Sequence, residues 1–92
     1  MMYPYIELPD ETVITHSHLK DENGMKTIDV HFERPKHYGF DSARLSLPSY
    51  TWTMRDGFTD EEIKSFENFA ARHAHTLFYY AENGGIPFAK AI

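Results

Sequence analysis

The stretch FTDEEIKSFENFAARHAHTLFYYAENGG, residues 58–85, decides the fold. It opens with a helix start, because Thr59 can accept hydrogen bonds from free N–H groups and Glu62 three positions later completes a capping box. Asn83-Gly84-Gly85 supplies the stop. Between these ends, side chains that are apolar or carry a ring recur at helical spacing: Ile63, Phe66, Ala70, His73, Leu77 and Tyr80. The pattern predicts one helix over residues 60–82.

Two segments upstream of the helix predict a β-hairpin over residues 11–33. Residues 11–19 and 25–33 are rich in β-branched side chains. Asn23-Gly24 between them is a strong hairpin signal, because both positions tolerate the positive φ of a tight turn. The second segment alternates apolar and polar residues, which indicates a strand with one covered face.

Further strands are expected on both sides of this hairpin. Residues 40–47 alternate apolar and polar side chains until Pro48 ends the strand. Residues 50–54 alternate again, with three large side chains on one side: Tyr50, Trp52 and Met54. Near the start of the chain, an edge strand is predicted from Tyr5, Ile6 and Leu8.

These elements predict an α+β fold, in which a small antiparallel sheet of three to five strands packs against one long C-terminal helix. A chain of 92 residues is long enough for one core, so residues 1–92 are interpreted as a single domain. The tail over residues 83–92 is expected to fold back on the helix through Ile86, Pro87 and Phe88.

Composition and charge exclude several classes of protein. The chain has no cysteine and 5 glycines, which excludes disulfide-rich and collagen-like chains. No apolar run approaches the roughly 20 residues that span a bilayer. The first residues have no signal-peptide pattern, so we expect a cytoplasmic protein without a membrane partner. The net charge of −5 opposes attraction to phosphate, which disfavours nucleic acid as a partner.

The hairpin register places histidines on one face of the predicted sheet. With a two-residue turn at Asn23-Gly24, His18 lies opposite Asp29 and His16 lies opposite His31. Cross-strand neighbours are close enough for imidazole and carboxylate groups to share one divalent ion. The candidate metal ligands are therefore His16, His18, Asp29 and His31, with zinc as the candidate cofactor. An exposed polar face without any cofactor is the favoured alternative, because no local motif such as HExxH is present.

Basic and aromatic residues meet around the loop between the second and third predicted strands. Arg34, Lys36 and Arg44, with Tyr38 and Phe40 interleaved, have the composition of a surface that stacks RNA bases. The three basic residues are therefore the candidate RNA contacts. The overall acidity and the absence of an RNP or helix-turn-helix motif favour simple solvation of this loop.

The helix carries more aromatic side chains than one small sheet can bury. We expect Phe66 and Tyr80 to face inward, and Phe69, Phe78 and Tyr79 to lie toward the flanks. An exposed aromatic patch on so small a protein indicates a protein interface or a homodimer. The candidate partner-binding residues are therefore Phe69, Phe78 and Tyr79.

Two more histidines lie on the helix. We expect the ring of His73 to pack at the edge of the core and to donate a hydrogen bond to a sheet carbonyl. A catalytic base is the alternative, but no Ser or Cys nucleophile can be placed beside His73, so no catalytic residue is assigned. His75 points away from the apolar face of the helix and is expected in solvent.

The order of these motifs resembles DUF four-one-six-zero, a family of small bacterial proteins of unknown function. The resemblance covers nearly the whole chain and rests on residues 28–33, 43–47, 56–58, 69–73 and 77–87. Asp29 stands where the family usually has its first histidine, and Tyr79 or Tyr80 stands where a tryptophan is common. The resemblance implies no established activity, and it implies a component of a toxin–antitoxin-like gene pair beside another small protein.

The sequence favours a small non-enzymatic protein-interaction domain, whose partner is a small protein or a second copy of the chain. Its acidity suits a basic partner, because complementary charge speeds association. The alternative is a small metal-dependent or RNA-acting toxin-like enzyme that uses the histidine face of the hairpin. A homodimeric structural module is the third interpretation. The aromatic helix flank points to binding, whereas the histidine face points to chemistry.

Overall fold

The computed structural model describes residues 2–87, which form six strands and one helix. In chain order these are β1 (Met2–Glu7), β2 (Val13–Ser17), β3 (Lys20–Glu22), β4 (Met25–Lys36), β5 (Gly39–Leu47), β6 (Thr51–Asp56) and α1 (Asp60–Glu82). All pairings are antiparallel in the order β1-β2-β4-β5-β6, and β3 also pairs with β4. The expected α+β fold is confirmed. The first strand of the predicted hairpin is divided into β2 and β3, which both pair with β4.

The core lies between α1 and the inner face of the sheet. Phe32 of β4 stacks on Phe66 of α1, with ring centroids 4.3 Å apart. Burying a side chain of this size contributes about 2 kcal/mol. The alternation expected in the two central strands is confirmed, because six apolar residues of their inner face are buried: Ile28, Val30, Phe32, Ala43, Leu45 and Leu47.

The helix begins and ends where the sequence predicts. The Thr59 side chain accepts from the Glu62 N–H at 3.1 Å, and the Glu62 carboxylate accepts from the Thr59 N–H at 2.9 Å. These bonds satisfy two of the free N–H groups at the helix start. No helix among residues 2–87 is long and apolar enough to cross a bilayer.

The chain beyond α1 turns back toward β1. The Gly85 N–H donates to the Tyr80 carbonyl at 2.7 Å. Gly85 is buried, and a Cβ built there would lie 3.0 Å from the Tyr3 ring. The expected contact of Phe88 lies outside the described residues.

The edge strand expected near the start of the chain is confirmed as β1. Pro4 pairs with Thr15 and Ile6 pairs with Ile14, so Tyr5 is an extra residue in a β-bulge. Leu8 lies just beyond the strand and packs, partly buried, against the core.

The hairpin turn is correct, but the register changes further from it. Lys20 pairs with Thr27, as a two-residue turn at Asn23-Gly24 requires. His16, however, pairs with Val30. Residues 17–19 therefore hold one residue more than the part of β4 opposite them, which is a β-bulge.

This bulge reverses the faces that the sequence predicts for β2. Side chains alternate with period two, so a shift of one residue exchanges the two faces of a strand. Ile14 and His16 are fully buried, whereas Val13 is exposed. The prediction that His16 lies opposite His31 is wrong, because Thr15 occupies that position.

A further bulge separates two residues of β6 that were expected on one side. Leu45 pairs with Trp52 and Arg44 pairs with Met54, so Thr53 is the extra residue. Trp52 packs against Phe32, with ring centroids 5.9 Å apart. Met54 belongs to the opposite face and is exposed.

The outer face of the sheet, opposite α1, follows from the strand registers. One cross-strand row consists of Pro4, Thr15, His31, Arg44 and Met54. The adjacent row consists of Glu7, Val13, Glu33, Ser42 and Asp56.

Candidate functional site

A shallow groove lies between the end of α1 and the turn that joins β3 to β4. Its volume is about 330 Å³. We call it the tip groove and define it by the residues that line it: Leu19, Lys26, His75, Phe78, Tyr79 and Glu82.

The β-bulge places one wall of the tip groove. The Leu19 N–H donates to the carbonyl of Ala81 at 3.1 Å, which fastens the bulged segment to the last turn of α1. Leu19 is partly buried against the core. The bulge therefore joins the hairpin to the helix end and leaves a recess between them.

The helix supplies the aromatic wall. Tyr79 is 56 % exposed and meets Tyr80 edge to face, with ring centroids 5.3 Å apart. Phe78 is partly buried and packs against the core. The structure therefore brings Phe78 and Tyr79 together at one surface, as the sequence predicts.

The third candidate partner-binding residue is misplaced in the sequence-based prediction. Phe69 is only 8 % exposed. It packs edge to face against Phe32, with centroids 6.4 Å apart, and against Tyr5 at 6.2 Å. The expectation that Phe69 lies on a flank is wrong, because β1 extends the sheet far enough to cover it.

The tip groove carries opposite charges on its two sides. Glu82 lies in the last turn of α1, which has no basic residue. The carbonyl end of a helix is itself negative, so the helix side of the groove is electronegative. On the hairpin side, Lys26 Nζ lies 2.9 Å from a carboxylate oxygen of Asp21. That hydrogen bond lowers the pKa of Asp21.

The four candidate metal ligands are not brought together. His16 faces the core, whereas His31 lies on the outer face and His18 is exposed in the bulge. Asp29 instead accepts a hydrogen bond from Lys20 at 2.6 Å. Within the described part of the chain, no group of three or more His, Asp or Glu residues is arranged to hold a metal ion.

His16 is the buried histidine that sequence reasoning misplaced. Its Nδ1 lies 2.8 Å from the Ser17 carbonyl oxygen, which can only accept, so Nδ1 carries the proton. Its Nε2 is buried without a hydrogen-bond partner among residues 2–87, and its ring centroid lies 5.6 Å from that of Tyr3 and 6.1 Å from that of Tyr5. Burial lowers the pKa of His16, which stays neutral at neutral pH. The burial of His16 follows from the bulge at residues 17–19, which no local sequence signal predicts.

His73 lies at the core edge, as expected, but its partner differs. Its Nδ1 lies 2.7 Å from the Tyr5 hydroxyl, so the partner is a side chain of β1 rather than a sheet carbonyl. Its ring stacks on Phe69 at 4.1 Å. Burial and the nearby Tyr80 raise the pKa of Tyr5, which keeps this phenol protonated. His75 is exposed, as predicted.

The basic residues expected to form one spot are neutralised or separated. Arg34 bonds to carboxylates of Asp41, at 2.9 Å, and Glu62, and it reaches Asp10 at 3.3 Å. Hydrogen bonds from Arg34 lower the pKa of both Asp41 and Glu62. Arg34 is therefore a structural link between the sheet and the helix start.

The other two candidate RNA contacts, Lys36 and Arg44, do not form one surface with Arg34. Lys36 Nζ lies 3.1 Å from Asp41. Arg44 lies on the outer face, whereas Arg34 points to the helix side. A continuous basic surface over Arg34, Lys36 and Arg44 is not formed.

No protein-family model, curated protein or solved structure matches the chain. The resemblance to the DUF four-one-six-zero family stays a prediction.

Proposed function

We propose that this protein is a small non-enzymatic protein-interaction domain that binds another small protein through the tip groove. The observation that carries the proposal is Tyr79, an exposed aromatic side chain beside partly buried Phe78 in a groove of about 330 Å³. Aromatic residues beside a partly desolvated recess are typical binding hot spots. A small protein partner is also what the family resemblance implies for a toxin–antitoxin-like pair.

The groove favours an apolar side chain flanked by a basic residue. Leu19 and Phe78 offer apolar surface at the base of the recess. Glu82 and the carbonyl end of α1 offer negative charge at the rim. The net charge of −5 extends this preference to the whole molecule and favours fast association with a basic protein.

The test begins by co-purifying the tagged protein from its source lysate at moderate salt and identifying any stoichiometric partner. Binding of that purified partner is then measured by calorimetry for Tyr79→Asp. We expect a loss of affinity of about tenfold or more, since hot-spot residues contribute over 1 kcal/mol. Phe78 is unsuitable for the test because it also packs against the core.

The matched control is Tyr38→Asp. Tyr38 is 91 % exposed and lies in the turn after β4, whereas the tip groove lies beside the start of β4. The two ends of this 12-residue strand are about 36 Å apart. Tyr38→Asp should bind like the wild type. Equal affinities for Tyr79→Asp and the wild type would reject the groove, and the absence of any protein partner would reject the function.

A further inference from the structure

The outer face of the sheet is a second surface that the tip groove does not use. Among residues 2–87 it is covered by no helix, because α1 packs on the opposite face. Five strands about 4.8 Å apart make this face about 24 Å wide.

Most of the charge on the outer face lies in two adjacent rows, and a third row carries Asp29, whose carboxylate pairs with Lys20 at 2.6 Å. One row carries Glu7, Glu33 and Asp56. The neighbouring row carries His31 at its centre, on β4, and Arg44 directly opposite it on β5. A row of carboxylates beside a row that carries Arg44 is complementary to its own copy turned by 180°, because Arg44 then lies near the carboxylates of the partner subunit.

Two observations show that the centre of this face is poorly hydrated. The Nε of Arg44 is buried and has no hydrogen-bond partner in the described part of the chain. His31 is partly buried, and this desolvation, with the neighbouring charge of Arg44, lowers the pKa of His31. Val13 and Met54 add exposed apolar surface within the same two rows.

We infer that the outer face holds a second copy of this chain, packed face to face about a two-fold axis that runs along the rows. This operation places each row over the other row of the partner subunit. His31 then faces Glu33 of the partner subunit, and Arg44 lies within one strand of the same carboxylate. Such a self-complementary contact is the usual form of a two-fold interface.

The size of the face sets the strength expected of the dimer. Sheets pack about 10 Å apart with aligned strands, so contact is limited to the side chains of the two rows and their neighbours. That area is at the low end of specific interfaces. We expect a micromolar dimer that weakens as salt screens its charge pairs.

The first test is a charge exchange followed by sedimentation over a concentration series. Arg44→Glu places like charges across the axis and should weaken the dimer about tenfold or more. Adding Glu33→Arg to the same chain restores opposite charges and should recover dimerisation. Circular dichroism of each variant confirms the fold, and Glu33→Arg alone gives a second disruption if Arg44→Glu fails to fold.

A cross-link provides a readout that does not depend on affinity. The chain has no cysteine, so one introduced thiol reacts alone. Ser42 lies close to the proposed axis, so the variant Ser42→Cys should cross-link two copies through a short bismaleimide. Ser65 is exposed on α1 and away from the outer face, so Ser65→Cys is the matched control and should give no cross-linked dimer.

Several outcomes would overturn the inference. They are a monomer at all concentrations, a dimer unchanged by Arg44→Glu, or a double variant that stays dissociated. A different protein captured by the outer face would also overturn it. The inference is independent of the proposed function, because Tyr79→Asp should leave the sheet-face dimer intact while weakening the partner complex.

Discussion

Gly57 precedes the helix at a point where a side chain has no room. Its φ is +99°, in the region that favours glycine. A Cβ built there would lie 2.1 Å from Oδ1 of Asp41. Asp41 is the carboxylate that joins Arg34 to Lys36, so displacing it would disturb both ion pairs.

We expect Gly57→Ala to lower the free energy of unfolding by about 1–3 kcal/mol, from backbone strain and the displaced carboxylate. Urea denaturation measures the change. The control is Gly39→Ala, because Gly39 also has a positive φ but its Cβ would meet nothing within 4 Å. Equal losses for the two variants would show that the Asp41 contact contributes nothing.

His16 makes the stability of the protein dependent on pH. The unfolded chain binds a proton on this ring near pH 6.5, whereas burial lowers the pKa of His16 in the folded state. Below about pH 6.5 the unfolded state therefore binds more protons than the folded state. The free energy of unfolding must then decrease as the pH is lowered, by up to about 1.4 kcal/mol per pH unit for one proton.

We expect His16→Leu to reduce this pH dependence between about pH 7 and pH 5, because the variant has no proton to bind at that position. Denaturation midpoints across this range provide the measurement. His75→Leu makes the same change at an exposed position and should keep the wild-type slope. His31, whose pKa is also lowered, remains in both variants and cancels in the comparison. An unchanged slope in His16→Leu would contradict the argument.

At the scale of elements, Arg34 fastens the start of α1 to the end of β4. Its guanidinium donates to Asp41 and Glu62, and it lies 4.9 Å above the ring centroid of Phe58. The Glu62 carboxylate also caps the helix. One side chain therefore couples helix capping to the sheet.

We expect Arg34→Met to lower the free energy of unfolding by about 2 kcal/mol at neutral pH, because it removes the cation shared by three carboxylates, of which only Asp41 keeps another, Lys36. Arg34 lowers the pKa of Asp41 and Glu62, so its contribution is present above the ordinary carboxyl pKa near 4. That contribution is lost as pH falls further and the carboxylates bind protons. Denaturation at pH 7 and near pH 3 should show a difference that shrinks in acid. A pH-independent difference would indicate lost packing alone.

The bulges show why some elements are predictable and others are not. The helix over 60–82 follows from its capping box, its apolar face and the glycines after its last turn, which are all local signals. The bulge at residues 17–19 has no glycine or other local mark in the sequence. It forms because it directs Ile14 and His16 to the core and lets Leu19 bond the helix end. Tertiary packing therefore decides the faces of β2.

At the scale of the whole molecule, one core joins the helix and every strand except β3. Trp52 is the only tryptophan of the chain. It packs against Phe32 of the central sheet and donates from Nε1 to Glu67 of α1 at 2.8 Å. Its fluorescence therefore reports the contact between helix and sheet.

We expect a single cooperative unfolding transition, because a domain of this size with one core has no part that is stable alone. Denaturation followed by Trp52 fluorescence and by helical circular dichroism should give one midpoint. Glu67→Gln keeps the side-chain length and should preserve that coincidence. Separate midpoints would mean that the helix or the sheet persists without the other.

The sequence by itself determined the element order, the helix ends, the turn at Asn23-Gly24 and the two central strands, because local periodicity and capping specify them. It also identified Phe78 and Tyr79 as neighbours on the helix flank. The tertiary structure decided the rest: the buried position of His16, the burial of Phe69 under β1, and the neutralisation of Arg34. Each of these depends on contacts between residues far apart in the chain, where burial and pairing outweigh local pattern.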